Sequence, residues 1–183
     1  MLKSFLNLKN IIILFNLSLF ICAIVYLNIN KGFRIAHKGG AYNETLKINS
    51  INTIEKSKKK INYFEIDFQL TKDNRLICLH PNDNEDLSNK NIRELFFKDI
   101  KKILDLNDKC YDDLITKLLK NNPKMLIITD FKENNIEGLN FISQNFSKQP
   151  NQFVPQIYFA HEYEHVKKMG FNKIIFTLYK IPN

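Results

Sequence analysis

The chain has 183 residues, 44% of them apolar, and a formal charge of +8 at pH 7. That is enough chain and enough apolar material for one domain with a sizeable core, which excludes a disordered or low-complexity polypeptide. The positive charge comes mostly from lysine, without basic–aromatic interleaving or a nucleic-acid reader motif, so no nucleic-acid partner is expected. The cluster Lys56, Lys58, Lys59 and Lys60 reads as a solvated helix end, and a basic surface suits anionic headgroups or phosphate-bearing substrates.

Residues 11–29 form a nearly unbroken apolar run without a charged residue, the length of a bilayer-spanning helix. Lys3 and Lys9 precede it and Lys31, Arg34 and Lys38 follow it, so charge asymmetry decides little about orientation. A cleaved signal peptide needs small residues before the cut, and residues 26–30 offer a poor site. A lipoprotein signal needs a small residue before Cys22, where Ile21 stands. The expectation is an N-terminal anchor or signal over 1–31, read as an uncleaved single-pass membrane anchor. A globular domain over 32–183 then lies outside the cytoplasm.

The first strand is expected from Phe33 and is broken by Gly39 and Gly40. A helix over 49–60 follows, capped by Asn49 or Ser50, with Ile51, Ile54 and Ile61 on its apolar stripe. Strand two spans 62–70, residues 71–74 form a turn, and strand three spans 76–80. After a polar loop over 81–90 come helices at 91–104 and 111–121 and strand four at 124–129. A helix at 136–146, strand five at 153–159, a helix at 161–169 capped by Gly170 and strand six at 173–179 complete the pattern. Alternating strands and helices predict a parallel α/β sheet. Of the three cysteines, Cys22 lies in the leader, and Cys78, inside an apolar strand, reads as buried and inert. A Cys78–Cys110 bridge does not follow from spacing.

Four of these strands end in residues suited to phosphate chemistry. Glu65 and Asp67, two apart, face one side of strand two, while Phe64, Ile66 and Phe68 face the other. Two unpaired inward carboxylates repel and are costly to bury, and a divalent cation relieves both problems; oxygen ligands suit calcium or magnesium. Asp130 and Lys132 repeat the spacing on strand four, as a third ligand and a phosphate contact. His37 and His80 add groups that exchange protons near neutral pH. Each has a plainer reading: a hydrogen-bonded structural histidine, solvated edge carboxylates, a surface ion pair. Their coincidence at successive strand ends favours a site. His161 and His165, four apart on a helix, read as surface residues.

In order and spacing these segments resemble the glycerophosphodiester phosphodiesterase family of phosphatidylinositol phospholipase C-like barrels. His37-Lys38-Gly39 is similar to its His-Arg-Gly opening, and Ile48-Asn49-Ser50 to its Glu-Asn-Thr. Glu65-Ile66-Asp67 with Thr71-Lys72-Asp73-Asn74 resembles its Glu-x-Asp strand and Thr-x-Asp-Gly turn. His80-Pro81 stands for its His-Asp, and Asp130-Phe131-Lys132 for its Glu-x-Lys. The resemblance runs from about Phe33 to Tyr179 and is more specific up to His80. It implies a TIM (β/α)8-type barrel and a metal-dependent phosphodiester hydrolase of lipid metabolism, acting on glycerophosphodiesters or related phospholipid headgroups. Glu65, Asp67 and Asp130 would hold calcium or magnesium, His37 and His80 would act as base and acid, and Lys38 and Lys132 would neutralise the phosphate. Four departures bear on this: Lys38 lacks the guanidinium fork, Ile48 lacks a carboxylate (Glu44 lies nearby), Pro81 replaces an acid, and Asp130 is a methylene shorter than glutamate.

A complete barrel of this type takes about 250 residues. After the leader, the sequence holds six predicted strand–helix units, so the barrel is expected to be truncated after about six strands. The expectations are a fragment of a longer protein, a non-catalytic membrane-tethered module whose edges another chain covers, or a shortened active barrel.

Overall fold

The computed structural model describes residues 8–29, 34–40, 47–80, 82, 84–88, 90–104 and 109–178. The chain divides into two compact units, Met1–Phe33 and Arg34–Asn183. Glu44 and Pro81, named above, lie outside the described residues.

The first unit contains helix α1, Leu8–Ile29. Its described side chains, 10–26, are all exposed. Asn16 and Ser18 satisfy themselves on the helix, donating to the carbonyls of Ile12 (2.8 Å) and Phe15 (2.9 Å). Among the described residues, no helix is long and apolar enough to cross a membrane. The spanning anchor expected over 11–29 is therefore not supported.

The second unit is an α/β half-barrel. Strands β1 (Ile35–Ala36), β2 (Tyr63–Leu70), β4 (Leu126–Phe131), β5 (Phe153–Ile157) and β6 (Ile175–Phe176) lie side by side in that order, all parallel. Helices α2 (Ile51–Ser57), α3 (Phe97–Ile103), α4 (Asp112–Asn121), α5 (Asn135–Asn145) and α6 (Glu162–Lys168) come between or after them. Ser50 caps α2 by accepting the Thr53 N–H. The outward face of β2, Phe64, Ile66 and Phe68, is completely buried in a core with Ile115 and Leu119 of α4 and Leu139 and Ile142 of α5.

Strand β3 (Leu76–Cys78) departs from expectation: it runs antiparallel to β2, pairing Phe68 with Cys78 and Leu70 with Leu76. The reason is connection length. A parallel crossover takes a dozen or more residues, whereas only Thr71–Arg75 intervene here. Thr71 closes that turn by donating its hydroxyl to Asp73 (2.7 Å) and accepting the Arg75 N–H (3.0 Å), and Asn74 takes a φ of 52°. The barrel therefore has five parallel strands and a hairpin arm among the described residues. The same turn divides the helix expected over 91–104: Asp73 accepts the Phe97 N–H at 2.8 Å, starting α3 there, and Ile92–Glu94 forms a separate 3-10 turn. These hydrogen bonds hold the Asp73 carboxyl below its ordinary range despite the opposing effect of burial.

Cys78 and Cys110 are joined in a disulfide with Cα atoms 5.2 Å apart. This corrects the reading of Cys78 as an inert thiol. Pairing follows from the fold, because the Cys78 N–H donates to the Cys110 carbonyl (2.9 Å) and Ile77 bridges Tyr111.

Gly138 of α5 lies against the Phe131 ring so closely that a Cβ there would overlap it. Gly138→Ala is expected to cost about 1–3 kcal/mol by forcing α5 off β4. Thermal unfolding checks this; an unchanged melting temperature would show that the helix yields freely.

Candidate active site

The β2–β4 register places Asp67 beside Asp130, with Glu65 two residues earlier on the same face. All three carboxylates are buried, Asp67 completely, and a ligand oxygen from each lies within 4.8 Å of the others. These are the three residues read from sequence as metal ligands, and the half-barrel brings them together near the C-terminal ends of the parallel strands. That is where barrel enzymes concentrate their chemistry.

The turn after β1 supplies the next layer. Lys38, Gly39 and Gly40 have φ of 49°, 76° and 90°, and the first strand ends at Ala36, before the break expected at Gly39. A side chain at Gly40 would press on Ala36 Cβ (3.2 Å) and Ser57 Oγ (3.1 Å), besides the strain of its φ. This coil points the Lys38 N–H at Glu65 Oε2 (2.8 Å) and brings Lys38 Nζ to 3.9 Å from Asp67 Oδ2. His37 Nε2 is 3.7 Å from Glu65 Oε2, with its side chain 77% exposed.

Lys132 Nζ lies 2.6 Å from Asp67 Oδ1 and 2.6 Å from Asp130 Oδ2. Burial disfavours its charge, but the two carboxylates prevail and hold the ammonium well above its ordinary pKa. Three buried carboxylates whose ligand oxygens lie within 4.8 Å of one another, with one ammonium shared between two of them, fit a hard divalent cation.

His80 follows β3. Leu79 donates its N–H to the Asp67 carbonyl (3.0 Å), so the hairpin runs His80 back alongside β2. His80 Nδ1 accepts the Asn82 N–H (3.2 Å), which in the neutral ring leaves the proton on Nε2.

Three further residues were not singled out as site groups in the sequence. Asn49, with φ 52°, binds Asp67 twice, donating to Oδ2 (2.9 Å) and accepting the Asp67 N–H (3.2 Å). Of the two expected helix caps, Asn49 and Ser50, it is Ser50 that caps α2. Tyr158, past the end of β5, donates its hydroxyl to Asp130 Oδ1. Glu162 accepts the N–H groups of Tyr158 (2.8 Å) and Phe159 (3.0 Å), fixing that turn. The available signal is positional: Tyr158 lies near the C-terminal end of strand five, as Asp130 lies near that of strand four.

Burial, then the Asp67 and Asp130 charges, push the Glu65 carboxyl above its usual range, against the Lys38 N–H and His37. A raised folded-state pKa means that stability present below the ordinary carboxylate range is lost as pH rises through the raised value. Glu65→Gln is therefore expected to stabilise chelator-treated protein at pH 7 by about 1 kcal/mol, a few degrees in melting temperature, while weakening cation binding. A lower melting temperature would show that the charge is compensated.

No family model and no curated protein matches the chain. Among solved structures, the fold is similar to one described as a candidate glycerophosphodiester phosphodiesterase from Galdieria sulphuraria (TM-score 0.65, 12% identity, 80% of this chain and 66% of that one). It is also similar to glycerophosphodiester phosphodiesterases from Parabacteroides distasonis (0.58, 18%, 78% and 71%) and Agrobacterium tumefaciens (0.51, 10%, 74% and 62%). The chain thus spans 62–71% of the length of these three structures. In fold, the half-barrel is similar to these glycerophosphodiester phosphodiesterase structures.

Proposed function

We propose that the protein is a divalent-cation-dependent phosphodiester hydrolase acting on glycerophosphodiesters or related phospholipid headgroups. The carrying observation is the buried Glu65–Asp67–Asp130 cluster on adjacent parallel strands of this fold. Those three residues would hold calcium or magnesium, which when bound neutralises them and stabilises charge on the phosphoryl oxygens. Asn49, Tyr158 and the Lys38 N–H orient the three carboxylates. His37, open to solvent, takes a proton at Nε2 from water or a substrate hydroxyl, and His80 gives one to the leaving alcohol. Lys38 and Lys132 add positive charge for the phosphate.

A second reading, a non-catalytic binding or assembly module, draws on Lys132, whose ammonium already balances Asp67 and Asp130. The test is hydrolysis of a glycerophosphodiester panel by the full chain, with calcium or magnesium and with chelator. Cation-dependent turnover is the expected result; a folded protein that binds the cation without turnover would favour the module.

Membrane association through the exposed apolar side chains of α1, with the domain outside the cytoplasm, completes the proposal. Ile11, Phe15 and Phe20 supply apolar surface, and the Cys78–Cys110 bridge suits an oxidising compartment. Thiol labelling in cells should find both cysteines blocked; free thiols there would place the domain in a reducing compartment.

A further inference from the structure

In a parallel half-barrel, every connection from a helix into the next strand lies at the N-terminal pole, opposite the carboxylate cluster. Four such connections lead into β2, β4, β5 and β6. Counted from the last turn of each preceding helix, they are residues 54–62, 118–125, 142–152 and 165–174. Together they hold ten lysines and a single carboxylate, Glu55, which Lys58 already pairs. This pole therefore carries more positive charge than the +8 of the whole chain, and the rest of the protein is net acidic. Nine of the ten lysines are exposed, and Arg34, also exposed, enters β1 at the same pole. Lysines at helix C-termini are ordinary one at a time, since the helix dipole favours them. Near-total exclusion of acids from four successive connections goes beyond that.

We propose that this pole is a docking surface for an anionic lipid bilayer. The four connections contain no arginine, so against ten lysines Arg34 alone offers the two-pronged recognition of an individual phosphate here. Their aromatic residues, Phe146 and Phe171, are buried, so no platform for stacking bases is presented. Lysine point charges spread over separate loops suit a plane of phosphates attracted by charge alone. A cavity of about 240 Å³ between Lys58 and Lys124, walled by Asn62, Asn121 and Asn122, opens on this pole and offers a seat for a polar headgroup. Docked this way, the carboxylate cluster faces away from the bilayer. The substrate is then a water-soluble diester rather than an intact lipid of the docked membrane. That consequence rests on the hydrolase reading above; the docking does not.

The test is partition of the full chain between buffer and vesicles, which needs no turnover. Helix α1 contributes to phosphatidylcholine vesicles too, so the readout is the ratio of partition coefficients with and without about one third phosphatidylglycerol. The ratio is expected to reach about a hundredfold at low ionic strength and to collapse in concentrated salt. Two variants, K56Q/K59Q/K120Q/K124Q and K148Q/K168Q/K173Q, alter exposed lysines only, and each should lower the ratio at least about tenfold. A wild-type ratio near one, or a ratio unmoved in both variants, would overturn the proposal. So would displacement from anionic vesicles by duplex DNA at matched phosphate, which would assign the pole to nucleic acid.

Discussion

Asp67→Asn is expected to abolish cation binding and to reduce hydrolysis by about a thousandfold or more. Asp67 is the completely buried member of the carboxylate cluster and the one on which most of the other groups converge. Lys132 and Lys38 approach it with their ammonium groups, and Asn49 holds both its backbone and its side chain. Asparagine keeps the shape and one acceptor oxygen but removes the charge. It also places amide hydrogens in a space that already contains an ammonium group. Titration calorimetry with calcium and with magnesium measures the first effect directly, and circular dichroism separates it from unfolding. If binding and turnover survived, Asp67 would be a structural partner of Asn49 and the ligand set would be wrong. Loss of binding with the fold intact would leave the hydrolase and module readings to the turnover assay of the parent protein.

The three carboxylates were legible in the sequence because strand geometry is periodic. Residues two apart share a face, so Glu65 and Asp67 announce themselves, and an apolar run ending in Asp130 at the next long strand is compatible with the same face. The registration of Asp67 against Asp130 is a property of strand pairing, which one strand alone does not encode. Tyr158 and Asn49 were missed for the same reason, since each meets its carboxylate across a neighbouring element. The turn at His37–Gly40 was hidden differently: the apolar pattern runs straight through Ile35 and Ala36, and only the two glycines mark the reversal. At β3 the signal lies in the turn over residues 71–74, whose shortness already requires an antiparallel return. The helix expected over 91–104 is divided by a hydrogen bond that the Phe97 N–H donates to Asp73, far away in sequence.

The disulfide was the least legible feature, and removing it has the second large expected effect. A double Cys78→Ser, Cys110→Ser variant should lose about 3–4 kcal/mol of stability and roughly ten degrees of melting temperature. The bond closes a loop with a sequence separation of 32, and the entropy it removes from the unfolded chain sets that magnitude. Both cysteines are completely buried, so the serine hydroxyls would also lose water without assured partners, adding to the loss. The effect should extend to the site. Lys109, beside Cys110, bridges Ser50, which adjoins Asn49, the residue that holds Asp67. On the other side of the bond, Cys78 is two residues from His80 and one from Leu79, whose N–H holds the Asp67 carbonyl. Reduction or double substitution should therefore weaken cation binding at temperatures where the domain remains folded. Calorimetric titration of oxidised protein and of the double variant, both well below their melting points, distinguishes this from a simple loss of stability. Equal cation affinity in the two would mean that the bond supports the hairpin without positioning Asp67.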